Sequence, residues 1–188
     1  FFLIPTGIAA ILSIIATIFL GLPIPYVPAQ ILWINLVTNG LQDVALAFEP
    51  GEKGIIKRPP RDPQEGIMSR VLVERTIIVA LIISAGVVYN FVTELNADET
   101  LEKSRTVAVT TMVFFQFFQA WNSRSELQSV FKINLFSNPF LFYSMVAAFF
   151  AQIAVVYVPA LQWVFRTESL NVNDWLQIGL MALTVVFV

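Results

Sequence analysis

The sequence predicts an all-α fold, a polytopic membrane bundle of six transmembrane helices, and three observations carry that expectation. The 188 residues are 57% hydrophobic, with a mean hydropathy of +0.75. Charge is clustered: none precedes Asp43, and uncharged runs cover Thr76 to Thr93, Thr106 to Ser123, Ile133 to Phe165 and Trp175 to Val188. A soluble bundle needs charge on every outward face, whereas these runs approach or exceed the roughly 20 apolar residues that cross a bilayer. Finally, the apolar stretch Leu32 to Pro50 contains, ahead of Glu49 at its end, four amides and hydroxyls and one carboxylate, which lipid tolerates only if they face inward.

The first span, about 3–20, ends in GLPIPYVP, whose Pro23, Pro25 and Pro28 remove backbone donors and force a tight turn. The second runs from about 28 to 49. Its Asn35, Thr38, Asn39 and Gln42 fall at i, i+3, i+4 and i+7, with Asp43 one step further, so an α-helix gathers all five on one side. An aspartate at mid-membrane costs about 2.5 to 3.5 kcal/mol, so that side faces protein or a wet cavity. The following Gly51–Pro63 loop is basic, and Pro59 and Pro60 hold it stiff and extended. Such a strip either solvates the chain or docks a cytoplasmic domain.

The third span, about 70–93, carries Ala80, Ser84 and Gly86 as close-packing positions. Glu94, Asp98, Glu99 and Glu102 then read as a solvated linker rather than an ion-collecting vestibule. The fourth span, about 105–122, sets Gln116, Gln119 and Ser123 at near-helical spacing, while Phe114, Phe115, Phe117 and Phe118 read as lipid-facing and packing bulk. Spans five and six, about 138–158 and 173–188, start at Asn138-Pro139 and at Asn173 as caps. Gln116, Ser84, Asn90, Ser144, Gln152 and Gln177 fit interhelical hydrogen bonds of about 0.6 to 2 kcal/mol as well as any ligating role.

Lys53, Lys57, Arg58, Arg61, Arg70, Arg75, Arg124 and Lys132 fall on one side of such a bundle and Lys103, Arg105 and Arg166 on the other. Loops 50–69 and 123–137 are therefore expected in the cytoplasm. Cysteine and histidine are absent, which excludes disulfides, imidazole metal sites and a histidine proton relay, and leaves oxygen ligands. A first residue Phe and a last residue inside an apolar run suggest a piece of a longer protein.

The order GLP, LWINLVT, Gly, FEP and RPPR, from Gly21 to Arg61, strongly resembles the sixth membrane helix and its flanks in P-type cation-transporting ATPases of the calcium and sodium/potassium pump group. The resemblance covers about the whole chain, as helices five to ten of that family, and is weaker after Ser69. It implies one C-terminal transmembrane domain forming much of the ion-binding and translocation path of an ATP-driven pump in the plasma membrane. No DKTGT motif or phosphate-cradling loop is present, so this stretch alone hydrolyses no ATP. Magnesium and ATP belong to the intact protein, as does an N-terminal half with the phosphorylation domain, which Gly51–Pro63 is placed to meet. The remaining partners implied are the transported cation and the lipid bilayer; no nucleic acid is.

Position by position, Asn35, Thr38 and Asn39 match the family's sixth-helix Asn, Thr and Asp ligands, and Gln116 matches a calcium-pump Glu. Asp43, one turn later, is the candidate for the charge that Asn39 lacks. Gly7 and Ala10 stand where calcium pumps carry Asn and Glu, and Pro5 with Gly7 either frees backbone carbonyls or kinks the helix. One carboxylate suits a single monovalent or divalent cation, or a proton, better than two calcium ions. A channel or secondary carrier, or a non-transporting scaffold, are the alternatives, and the chain lacks the repeat or filter loop that would favour the first two.

Overall fold

Helix α5, Leu101–Asn122, is the axis around which the other elements pack. The structure, a computed structural model, describes residues 2–51, 70–97, 99–124 and 133–188, with the side chains of Asn39 and Leu135 outside that description. Among the described residues every regular element is helical. The chain order is α1 (Leu3–Phe19), α2 (Pro28–Asn35), a π-helical segment (Leu36–Asp43), α3 (Val44–Leu46), α4 (Arg70–Asn96), α5, a 3-10 turn (Leu135–Ser137), α6 (Pro139–Tyr157), α7 (Pro159–Phe165), α8 (Val172–Leu183) and a last 3-10 turn (Thr184–Phe187). Among the described residues two helices, α4 and α6, are long and apolar enough to cross a membrane; Leu3–Phe19 and Val172–Phe187 are apolar but shorter.

Every residue of α5 from Thr106 to Val113 is buried, a run of more than two turns, so the helix is enclosed on all sides. It packs on α2, the π segment, α4, α6 and α8, while α1 lies mainly against α4. Close approach of α4 depends on Gly86, where an added Cβ would lie 2.6 Å from Cζ of Phe115 and 3.0 Å from Cγ of Met181. The phenylalanines of α5 therefore form core: Phe115 is fully buried, Phe117 nearly so, and Phe114 and Phe118 pack against the same cluster. This corrects the lipid-facing part of the sequence reading. Four neighbouring helices already surround α5, so Phe115 and Phe117 are enclosed while Phe114 and Phe118 stay half-buried.

Polar side chains on α5 bind the bundle crosswise. Gln152 of α6 accepts from Nε1 of Trp33 at 2.6 Å and donates to Thr110 at 2.9 Å. On the adjoining residue, Thr111 accepts from Asn90 of α4 at 3.0 Å, and Asn90 accepts from Gln177 of α8 at 3.0 Å. The two chains leave α5 from consecutive threonines, so five helices share one hydrogen-bonded layer.

The element boundaries reflect local chemistry. Gly21 takes φ +69 after α1, and the Leu22 N–H reaches back to the Thr17 carbonyl at 2.9 Å, a Schellman closure that opens the proline turn. α1 is unbroken, and Pro5 lies in its first turn, where a missing N–H interrupts nothing. In the same turn the Thr6 hydroxyl donates to the carbonyls of Phe2 and Leu3. α8 is capped by Asn171 rather than Asn173: its Oδ1 accepts from the Asp174 N–H while Asp174 accepts from the Asn171 N–H. α7, with Pro159 at its first position, stands in a stretch expected to be a connection.

Opposite ends of the bundle carry two ion-pair groups. At one, Nζ of Lys103 lies 2.9 Å from Glu94, 2.8 Å from Glu99 and 3.8 Å from Asp174. Lys103, Glu94 and Asp174 are all buried and clamp α4, α5 and α8 together, so Glu94 is no part of a solvated linker, while Glu99 and Glu102 are exposed as expected. Asp98 lies outside the described residues. The same end holds Arg105, which donates to the Ile24 carbonyl, and Arg166, whose carbonyl accepts from Gln30. Arg124 and Glu49 occupy the other end.

Candidate functional site

The polar helix predicted as one α-helix is not one. Over Leu36–Asp43 it widens to π geometry, with i→i+5 hydrogen bonds, between two α-helical flanks. The side chains are redistributed accordingly. Buried pairs return at every fourth residue, as Trp33 with Ile34, Val37 with Thr38, and Gln42 beside half-buried Leu41.

The five polar residues therefore do not share one side. Thr38 and Gln42 point into the bundle, Asn35 is exposed, and Asp43 is half-buried on the flank next to Gln42. The Asn39 side chain lies outside the described residues, although its backbone belongs to the π turn. Thr38 donates to the Ile34 carbonyl at 2.7 Å, which leaves its oxygen lone pairs available.

A cavity of about 210 Å³ opens between this segment, α1 and α5, and its walls include Asn35, Thr38 and Gln116 together with Thr6, Gly7 and Ala10. Three of the five predicted ligands thus meet in one space. Asp43 is not among the residues lining it. Gly7 and Ala10 are the wall of that space without contributing a side-chain oxygen, and an added Cβ at Gly7 would meet open room. Thr6 went unnoticed in the sequence, because an isolated threonine on an apolar helix carries no pattern.

Gln116 lines the cavity from α5. It is 1% exposed, and its Oε1 finds no hydrogen-bond partner among the described residues. A buried amide oxygen left so costs about 1 to 3 kcal/mol unless something polar occupies the cavity beside it. The donor set is neutral oxygen from amides and hydroxyls, and among the described residues no cluster of three or more acidic side chains is placed to hold a metal. A hard divalent ion needs carboxylates from elsewhere to complete such a shell.

The clamp at the end of the π-bearing helix also went unread in the sequence. Asn138, the cap of α6, donates to the Ala45 carbonyl at 3.0 Å and to Glu49 at 2.8 Å, and Arg124 seals the same carboxylate. A helix-terminal acid and a distant arginine gave no sequence signal that they would meet.

Comparison with known proteins follows the same direction. A family model described as "Cation transporting ATPase, C-terminus" matches residues 23–188. The probable cation-transporting ATPase F of Mycobacterium tuberculosis (strain ATCC 25618 / H37Rv) is 35% identical over 185 residues, which is 98% of this chain and 20% of that protein. Calcium-transporting ATPase 1 of Yarrowia lipolytica is 36% identical over 184 residues, 98% of this chain and 20% of its own length. Calcium-transporting ATPase type 2C member 1 of Homo sapiens is 36% identical over 175 residues, 93% of this chain and 19% of its own. The chain spans about a fifth of the length of these relatives.

Proposed function

This chain belongs to the P-type cation-transporting ATPases as part of their C-terminal membrane region, and from that premise we propose that it forms much of the cation-binding and translocation path of an ATP-driven pump. The observation that carries the reading is the cavity beside the π turn, where Asn35, Thr38 and the orphaned Gln116 oxygen converge. π turns concentrate at functional positions because they misalign backbone and side chains that regular helices would pair internally.

The proposed ligand set is Asn35, Thr38, Asn39, Gln116 and Asp43, with Asp43 bearing the charge. Its place on the flank beside Gln42 means that a small rotation of the π turn, or a carboxylate from the rest of the protein, must complete the shell. One cation fits this donor count better than two. ATP and magnesium act on the intact protein, whose phosphorylation would bias the cavity between two states of different cation affinity. Six bilayer crossings, over 3–20, 28–49, 70–93, 105–122, 138–158 and 173–188, follow from the same reading. Loops 50–69 and 123–137 would then face the cytoplasm, in the plasma membrane, with Gly51–Pro63 toward the phosphorylation domain; most of that strip lies outside the described residues.

The test uses the intact protein. Thr38→Ala, Gln116→Ala and Asp43→Asn are each expected to raise the half-saturating cation concentration for ATP hydrolysis at least tenfold, while Asn90→Ala leaves it unchanged. Thermal stability measured in sodium, potassium, calcium and magnesium names the cargo, since only a bound ion shifts unfolding by linkage. Unchanged cation dependence in all three variants would sink the assignment.

A further inference from the structure

The chain between α6 and α8 turns an apolar face outward at a fixed depth. α6 has the length and composition of a membrane span, and its 19 residues measure about 28 Å, close to the roughly 30 Å of a hydrocarbon core. One flank of it carries Tyr143, Phe150 and Tyr157 at i, i+7 and i+14, exposed by 70, 64 and 42%. Tyrosine thus marks both ends of that flank and phenylalanine its middle, the order in which bilayer interfaces and bilayer interior select aromatic residues.

One residue, Val158, separates α6 from α7. The connection is fastened to the last turn of α6: the Gln162 amide donates to the Val156 carbonyl at 2.7 Å, and the Thr167 hydroxyl donates to the Val155 carbonyl at 2.6 Å. The Val158 N–H donates to the Ala154 carbonyl at 2.8 Å. Carbonyls that a helix end often leaves to water are closed here by the chain itself, as backbone at the edge of hydrocarbon requires. Gln30 of α2 donates to the Arg166 carbonyl and the Glu168 N–H donates to Thr106 of α5, so three helices hold the segment at this level.

The two faces of α7 differ. Leu161 and Phe165, four residues apart, pack inward on the core, and the Phe165 ring lies 5.5 Å from that of Trp33 between centroids. Trp163 and Val164 stand outside, 75 and 48% exposed, and the exposed Val158, Pro159 and Ala160 join them to the end of the α6 flank at Tyr157. Charge returns immediately beyond, in Arg166 and Glu168. We propose that α7 lies in the plane of the membrane interface, with its Trp163 and Val164 face seated at the headgroup–acyl boundary, and that with Tyr157 it anchors the depth of α6 and α8. A bilayer boundary is the occupant the chemistry selects. An indole joins an apolar ring to one N–H donor, and the Trp163 N–H has no partner among the described residues, so a surround that is apolar on one side and polar on the other satisfies both parts.

This placement rests on the membrane crossing of α6 and not on the cavity binding a cation. It is tested by photocrosslinking in the intact protein, reconstituted in phosphatidylcholine vesicles, with p-benzoylphenylalanine introduced in turn at Trp163, Val164, Phe150 and Glu102. Phe150, midway along the exposed flank of α6, reports hydrocarbon, and Glu102, an exposed acid in the first turn of α5, reports water. Trp163 and Val164 are expected to give lipid adducts within about twofold of the Phe150 yield and about tenfold or more above Glu102. Those adducts are expected on the glycerol and upper acyl carbons. Crosslinks to another part of the polypeptide, or a lipid yield no higher than at Glu102, overturn the proposal while Phe150 still reacts with lipid. Loss of the lipid adduct at Phe150 as well would overturn the crossing of α6 itself and the proposal with it, so the two failures are distinguishable.

Discussion

Arg124 holds both carboxylate oxygens of Glu49, with Nε at 3.0 and 3.1 Å and a second nitrogen at 2.8 Å. The same guanidinium donates to the Asn134 carbonyl at 3.1 Å and to Ser137 at 2.6 Å, and its side chain is almost fully buried. One charge thereby joins the end of the π-bearing helix to α5 and to the entry of α6. Replacing Arg124 by Gln leaves the Glu49 carboxylate poorly paired, and the expected loss is about 3 kcal/mol of stability. Arg124→Lys is expected to recover little of it, because an ammonium cannot reproduce the planar fork. Thermal unfolding of the intact protein checks this; a lysine variant as stable as the parent would contradict the bidentate account.

Gly86 and Phe115 set the spacing of α4 and α5. Gly86→Ala drives a methyl into the ring, and about 1 to 3 kcal/mol of overpacking strain is expected. Phe115→Leu in the same chain should relieve part of it. A double variant no more stable than Gly86→Ala alone would show that Met181, the other close neighbour, decides the contact.

Gln152 serves two partners at once, Trp33 and Thr110. Gln152→Leu keeps the volume and removes both bonds, at about 0.6 to 2 kcal/mol each between membrane helices. Trp33 lies one turn before the π segment, so a second effect is expected on the cavity: weaker cation response in the intact protein than Asn90→Ala produces. Equal behaviour of the two variants would confine Gln152 to packing.

Lys103 separates carboxylates that burial has brought together. Lys103→Met leaves Glu94 and Asp174 buried without their cation, and destabilisation of about 3 kcal/mol is expected. Adding Glu94→Leu should recover much of the loss, since a buried pair replaced by apolar groups is often neutral. If the double variant is the less stable one, Asp174 rather than Glu94 is the dominant partner.

Reading the sequence alone reached the helical class, because apolar runs of bilayer length leave few other ways to satisfy a backbone. It also reached Gly86 as a close-packing position and Thr38, Asn35 and Gln116 as residues worth following. It misplaced the polar face of the second helix, since a 3.6-residue period was assumed where the backbone takes a wider turn. Nothing in Leu36–Asp43 announces π geometry; Gly40 loosens the segment, but glycine also occurs in α1, α4 and α8 without that result. The aromatic run of α5 reads as lipid-facing and packing bulk together, and the structure makes it mainly packing. Hydrophobicity is the same whether a ring meets lipid or protein, and only the count of neighbouring helices distinguishes them.

Composition and order alone determined what the chain is made to tolerate: an apolar surround, oxygen rather than imidazole or thiolate chemistry, and polar groups that must find cover. Packing decided which cover each one found. Asn90, Gln152 and Gln177 were paired off into a structural layer, and among the described residues the Gln116 oxygen at the cavity was left without a partner. That division cannot be written in one dimension, because whether a buried glutamine is paired depends on whether a partner from another helix stands within hydrogen-bond reach, and that distance is fixed only when the helices are in place.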